Sequence, residues 1–413
     1  MALTKTLRWF GPSDPISLDE LAQTGIEGIV TALHHIPNGA VWPEQDIEER
    51  HKQIQQKGLD WKVVESVPVH ESIKLGEADR DQYMDNYIKT LENLGKYGIT
   101  TVAYNFMTVV DWVRTNLSFT LPDGRKTMYF NALDLRVFDL YILQRTHAEK
   151  DYTAEQMEEA RKKYQNMSEE QKNALIQIIA VESQNFIDGT LAKNGKDPIE
   201  AFREYLQKYQ GLTKEKLRDN LKYFLEKIIP VAEKNNIRMA IHPDDPPFSV
   251  FGLPRIVSSL EDFKWITGAV DSPSNGITFC TGSLSASSAN DVTQMTRELI
   301  HRIQFVHLRN TQRNNQGDFW ESEHLNGVIN MPEVLHMILK EQQERINHHR
   351  ADADIPFRPD HGQSLLDDLH RKSHPGYPLI GRLKALAEIT GLEKGIEYMM
   401  TNGTAGWGSG NCR

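Results

Sequence analysis

The sequence predicts an α/β fold, a (β/α)8 TIM barrel with a helical insertion after strand four, and three observations predict it. Eight short apolar runs alternate with helix-patterned segments; such alternation marks a parallel sheet, and eight strands favour closure over an open doubly wound sheet. Four of the runs, 238–245 (RMAIHPDD), 277–282 (ITFCTG), 303–310 (IQFVHLRN) and 355–362 (IPFRPDHG), each carry a residue able to bind a metal at or near the end. These are His242, Cys280, His307, and Asp360 followed by His361. Neighbouring parallel strands bring such ends to one mouth, the face of a barrel on which chemistry is placed.

The elements follow in order. The first strand, 7–10, is stopped by Gly11-Pro12, and Ser17 caps the helical stretch LDELAQ. Strand two is 28–33, and the helix 43–57 after it opens on a proline and Glu44, which suit a first turn, and ends at Gly58. Strand three is 61–67 (WKVVESV); helix 80–96 carries Tyr83, Tyr87, Leu91 and Leu94 at helical spacing; strand four is 100–106. From 116 to 213 the pattern changes to a turn, LPDGRK, and then to charged, helix-favouring segments. Structureless loops of that length are uncommon, so the stretch reads as a helical insertion, placed to lid the mouth or to make a subunit contact such as a homodimer. Helix 214–235 restores the rhythm, helices 254–270, 291–301, 331–345 and 381–400 continue it, and 401–413 reads as a flexible tail. The whole, 1–413, reads as one elaborated barrel domain.

Composition limits the function. With 413 residues, 39% of them hydrophobic, the chain can bury a large core. A net charge of −10 argues against a nucleic-acid partner, while an acidic small molecule needs only a local cation. The two cysteines, Cys280 and Cys412, make no disulfide framework, which fits a reducing cytoplasm. The first residues lack the apolar core of a signal peptide and no apolar stretch is long enough to span a bilayer, so no membrane association is expected.

Two imidazoles, one thiolate and one carboxylate suffice for a tetrahedral or five-coordinate divalent metal, and leave room for substrate oxygens if the metal prefers six ligands. Ligand softness alone points to zinc or iron. Each residue also has a plainer reading: a lone buried cysteine is usually structural, and a lone histidine is usually a hydrogen-bonded core residue. The pair His348-His349 sits in a charged linker and reads as surface.

Over nearly its whole length the chain resembles the D-mannonate dehydratase family. The resemblance rests on RWFGPSDPISL, GIVTALHHIPNGAVW, VVESVPVHESIK, YNFMTVVDWVRTNL, MAIHPDDPP, FGLPRIVSS, NGITFCTGS, FVHLRN, RPDHG and PGYPLIGR. Tyr104-Asn-Phe-Met continues as Thr108, where proline would be expected. The resemblance implies a xylose isomerase-like barrel, conversion of D-mannonate to 2-dehydro-3-deoxy-D-gluconate and water in hexuronate breakdown, and Mn2+ or Fe2+ held by His242, Cys280, His307 and Asp360. It also implies that His361 and Tyr377 take part in proton transfer.

That reaction needs a proton removed beside a carboxylate, a metal to spread the resulting charge, a base, and an acid for the departing C3 hydroxyl. His361 and Tyr377 are the expected pair, their roles not ordered. In an extended chain His361 points away from Asp360, so the backbone must turn there, which Gly362 permits; the plainer reading has His361 orienting Asp360, and Tyr377 packing under a loop. Arg309 shares a strand face with His307 and could clamp the substrate carboxylate, or form a salt bridge instead. Trp9, His34, His35, Glu65, His70, Asn105, Asp244 and Asn310 complete the expected lining, although Asp244 and Asp245 before Pro246-Pro247 also suit an ordinary turn. A metal-dependent sugar isomerase or epimerase, and a sugar-binding protein with a structural metal, are the alternatives.

Overall fold

The computed structural model describes residues 2–183 and 197–402. In chain order β1 (Thr6–Arg8), β2 (Gly28–Thr31), β3 (Asp60–Glu65) and β4 (Thr101–Tyr104) are followed by a hairpin, β5 (Asn116–Thr120) and β6 (Lys126–Phe130). β7 (Arg238–Ile241), β8 (Asn275–Cys280) and β9 (Ile303–His307) come next, then β10 (Thr311–Arg313), β11 (Phe319–Glu321) and β12 (Phe357–Arg358). Eight of them form one sheet in the order β1-β2-β3-β4-β7-β8-β9-β12, each parallel to its neighbour. Lys5 bridges Phe357, and the Phe357 amide donates to Thr4 O at 2.9 Å, so the last strand meets the first and the barrel nearly closes. The predicted (β/α)8 architecture is present, with each expected strand in its place.

Val30, Val63, Ala103 and Phe305 form a small apolar cluster separate from the main core. Side chains two residues apart on a strand share a face, so Glu65 stands one step beyond Val63 and His307 one step beyond Phe305. The side chains on that face change from apolar to polar along β3 and β9, and the polar end is the site.

Helices cover the outside. Ser17 caps Leu18–Ala22 in a reciprocal capping box with Glu20, as its sequence predicts. The helix Lys214–Lys234 buries Leu217, Leu221, Phe224, Leu225 and Ile228, a stripe at three- and four-residue spacing. Phe224 is fully buried against Tyr87 and Tyr104, with ring centroids 5.1 and 5.8 Å away. Phe224→Ala is expected to lower the unfolding free energy by about 3–5 kcal/mol in a denaturant titration, and a loss under about 1 kcal/mol would contradict this packing.

Three expectations change. The helix expected from 254 begins at Leu260, capped by Ser259, because the preceding loop is tied to Asp244, which accepts from Val257 N and Ser258 Oγ, both at 2.8 Å. The stretch from 116, expected to be helical, opens on the β5–β6 hairpin with LPDGRK as its turn, Gly124 taking φ +87°. It pairs into a second, antiparallel sheet in the order β10-β11-β6-β5, and only then come the helices Ala132–Val137, Ala154–Asn166, Glu169–Ile176 and Pro198–Lys208. Of the tail expected at 401–413, residues 401 and 402 end the helix Leu379–Asn402, and 403–413, with Cys412, lie outside the described residues. Among the described residues no helix is long and apolar enough to cross a membrane.

Candidate active site and metal centre

Three of the four expected ligands meet at the mouth. His242 follows β7, while Cys280 and His307 end β8 and β9 and are register partners. One donor atom from each lies within 4.8 Å of the others. His242 Nδ1 is 2.7 Å from Pro243 O and is satisfied by donating to it, which leaves Nε2 as the ligand atom. Cys280 Sγ accepts from Ser283 N and Ser283 Oγ at 3.5 and 3.1 Å. His307 is fully buried, and its Nδ1 makes no hydrogen bond among the described residues. A buried ring nitrogen left unpaired is costly unless something binds it. The fourth expected ligand, Asp360, stands at the edge of the group, its Oδ2 3.7 Å from Cys280 Sγ and 3.9 Å from His307 Nδ1. Two nitrogens, a sulfur and a carboxylate oxygen fit a divalent transition metal. His307 Nε2 is turned away from this group, accepting from Arg358 Nε at 3.1 Å with Glu65 Oε2 3.6 Å away, and Nδ1 is the ring nitrogen on the ligand side.

Asp360 and His361 both line the cleft, and the turn that allows it is at Asp360, with φ +71°, rather than at Gly362. Aspartate is among the few side chains that tolerate this region. Gly362 is needed for a different reason: a Cβ there would come within 2.8 Å of the Gly381 backbone.

Buried arginines surround the ligands. Arg358 donates to Glu65 through Nε and Nη2 at 3.1 and 2.9 Å, to Asp360 through Nη1, and to Tyr377 OH at 3.4 Å. Burial is the largest influence on Glu65 and Asp360 and opposes their ionisation, yet Arg358, joined by Arg8 at Glu65 and by Arg309 at Asp360 among the neighbouring groups, outweighs it and both carboxyls lie well below their usual range. Burial raises the Tyr377 phenol, and Arg358 offsets only part of that, so the group stays protonated at neutral pH. Sequence reasoning missed Arg358, although it sits in RPDHG two residues before Asp360.

Arg309 lines the cleft, but its guanidinium is committed to Asp245 (2.8 Å), Asp360 (3.2 Å) and Glu321 (3.2 Å). That is the salt-bridge arrangement of the two expected for it. Glu321 ends β11 and comes from the second sheet; burial pushes its carboxyl up, but Arg309 and His361 bring it down to about 2. Arg114, at the base of the hairpin, donates to Asp245 at 2.8 Å and to Glu321 at 3.1 Å. Neither Glu321 nor Arg114 was expected in the site.

Of the remaining candidates, Tyr377, Glu65 and Asn105 line the cleft, Asn105 donating to Asp111 at 2.8 Å. Burial raises the Asp111 carboxyl to about 6. Three expected substrate contacts are employed elsewhere. Trp9 belongs to the main hydrophobic core under Arg50, Asp244 anchors the loop before Leu260, and Asn310 pins its own loop through His324 O, Ile329 O and Ile329 N. His34 is exposed, its ring 5.8 Å from that of Phe10; His35 pairs with Asp46 at 2.8 Å; His70 caps Glu71–Leu75. Thr108 is buried and donates to Pro254 O at 3.2 Å.

The family model described as D-mannonate dehydratase (UxuA) matches residues 3–403. The chain is 46% identical over 393 residues to a mannonate dehydratase of Marinomonas sp. (strain MWYL1), covering 95% of this chain and 98% of that one. It is 48% identical over 395 residues to a mannonate dehydratase of Chromohalobacter salexigens, covering 95% and 99%. The crystal structure of mannonate dehydratase from Streptococcus suis serotype 2 superposes with a TM-score of 0.74 at 32% identity, over 97% of this chain and 95% of that one.

Proposed function

The chain belongs to the D-mannonate dehydratase family, metal-dependent hydro-lyases that remove water from D-mannonate, and on that premise we propose that His361 is the base and Tyr377 the acid. The observation that carries the assignment is their opposed environments across one cleft. The His361 and Tyr377 rings meet edge to face with centroids 5.1 Å apart. The phenol is held protonated by burial, while one nitrogen of the imidazole faces the Glu321 carboxylate and the other is left for the substrate. A phenol that keeps its proton can donate one, and an imidazole ring nitrogen facing the substrate can accept one, which divides the pair into acid and base.

We assign the metal to His242, Cys280, His307 and Asp360, supported by the unpaired His307 Nδ1 and the mixed nitrogen, sulfur and oxygen donors; manganese or ferrous iron suits that set and the six-coordinate demands of a chelating substrate. When bound, it supplies Lewis-acid stabilisation of charge on the substrate carboxylate and C2 oxygen. In the elimination the C2 proton passes to His361, the C2–H electron pair becomes the C2–C3 double bond, and the C3–O bond breaks as the oxygen takes the Tyr377 proton and leaves as water. The enol then gains a proton at C3 and loses that of its C2 hydroxyl, which returns both side chains to their starting states and gives the 2-keto-3-deoxy acid.

With Arg309 committed, Arg8 is the cation for the substrate carboxylate. It lines the cleft 3.3 Å from Glu65, and its Nε has no hydrogen-bond partner among the described residues. Asn105 is retained for a substrate hydroxyl. Arg8→Met is expected to raise KM for D-mannonate by about 10-fold or more with a smaller change in kcat, and an unchanged KM would remove Arg8 from this role. The function itself is tested by following manganese-loaded protein with D-mannonate: a 2-keto-3-deoxy acid is expected, and epimerisation without loss of water would contradict the reading.

A further inference from the structure

We propose that Glu321, carried on β11 of the second sheet, is a positioning residue for the base: its carboxylate holds the Nδ1–H of His361 and so leaves the lone pair on Nε2, where it can take the C2 proton. The inference rests on the assignment of His361 as base.

His361 Nδ1 lies 3.1 Å from Glu321 Oε1 and also 3.1 Å from Arg309 Nη1. The two neighbours demand opposite tautomers. A carboxylate accepts only, so it needs hydrogen on Nδ1; a guanidinium donates only, so it needs a lone pair there. The surroundings decide between them. Arg309 Nη1 already has an acceptor in Asp360 Oδ2 at 3.2 Å, and Arg309 Nη2 has Asp245 Oδ2 at 2.8 Å. Glu321 is flanked by two guanidiniums, with Arg114 Nη2 donating to Oε1 at 3.1 Å and Arg309 Nε 3.2 Å from Oε2, and this keeps it a carboxylate. A charged acceptor facing a ring N–H gives the stronger bond, so hydrogen belongs on Nδ1.

The support of this contact comes from outside the barrel. Arg114, fully buried, lies 4.7 Å over the Phe319 ring at the start of β11 and is fixed to Asp245. β11 pairs with β6 of the hairpin through Phe319 and Trp320. The second sheet thereby sets which nitrogen of the base is available. A barrel carrying the metal ligands but lacking this sheet would leave Arg309 as the neighbour of Nδ1, which favours the opposite tautomer.

Glu321→Gln in the manganese-loaded enzyme removes the charge, keeps the shape, and lets an amide donate to Nδ1. We expect kcat to fall by about 10²-fold or more with KM within about threefold, the manganese content unchanged and the isotope effect with C2-deuterated D-mannonate increased. Glu321→Asp, which keeps the charge on a shorter arm, is expected to fall between the two. A kcat of Glu321→Gln within about threefold of wild type, or a loss confined to KM or metal content, would overturn the proposal. Neutron diffraction of the wild-type holoenzyme reads the tautomer whether or not the variant folds: deuterium on Nδ1 supports it, deuterium on Nε2 alone overturns it. His361→Asn separates the two levels. If that variant keeps wild-type turnover the base assignment fails and takes the inference with it; if it is inactive while Glu321→Gln is fully active, only the inference fails.

Discussion

His361→Asn is expected to lower kcat for D-mannonate dehydration by about 10³-fold or more while leaving KM within a few-fold. The substitution removes the one group of the proposed pair that can accept the C2 proton, and asparagine can still bond Glu321 through its amide. It touches none of the donor atoms grouped at His242, Cys280 and His307, so manganese should still bind. Tyr377→Phe should show a comparable fall, because the C3 hydroxyl would then have to leave without its proton. The measurement is steady-state kinetics beside metal analysis of the same samples. Activity of His361→Asn within about tenfold of wild type would remove the residue from the chemistry.

The second large effect is on stability. Arg358→Met is expected to lower the unfolding free energy of metal-free protein by about 3–5 kcal/mol. Glu65 and Asp360 are both buried and both bonded to the Arg358 guanidinium. Without it two carboxylates remain in a low-dielectric pocket, and removing one partner of a buried ion pair is far more costly than never having the pair. Arg8 still reaches Glu65 at 3.3 Å, and Arg309 reaches Asp360 at 3.2 Å, which limits the loss. Denaturant titration of both proteins gives the difference, and a loss under about 1 kcal/mol would show that the site carries less electrostatic strain than its geometry implies.

Particular residues show why some of this was legible in the sequence and some was not. The barrel strands are short apolar runs between strong helical signals, and His242, Cys280 and His307 stand at or just past their ends, so periodicity alone places them together. β10 and β11 are three residues each and lie between a strand and a helix that already account for the rhythm. TQR and FWE around the turn-forming NNQG carried a hairpin signal that was overlooked. With that hairpin went Glu321. Arg114, Arg309 and Arg358 are 0–2% exposed, yet charged residues read as surface unless a partner is known, and each has a partner 51 or more residues away in sequence: Asp245 for Arg114, Asp360 for Arg309 and Glu65 for Arg358. The turn at Asp360 was attributed to Gly362 because glycine is the usual occupant of a positive φ. Which of two adjacent residues takes the unusual conformation is settled by what each side chain must reach, and Asp360 has to meet Arg358 and the ligand group at once. Asp244 and Asn310 were expected to bind substrate because they follow strand ends; loops leaving a barrel need internal anchors, and those two residues supply them.

The central claim is that one metal held at this mouth, with His361 and Tyr377 beside it, dehydrates D-mannonate. The most direct test is to strip the purified protein with a chelator, assay the 2-keto-3-deoxy acid formed from D-mannonate, and repeat after adding back manganese or ferrous ion. The account predicts that stripping abolishes product and that one of these ions restores it at about one per chain in wild type, with none restored in Cys280→Ala/His307→Ala. Product formed at the full rate by stripped protein, or by the double variant, would contradict it.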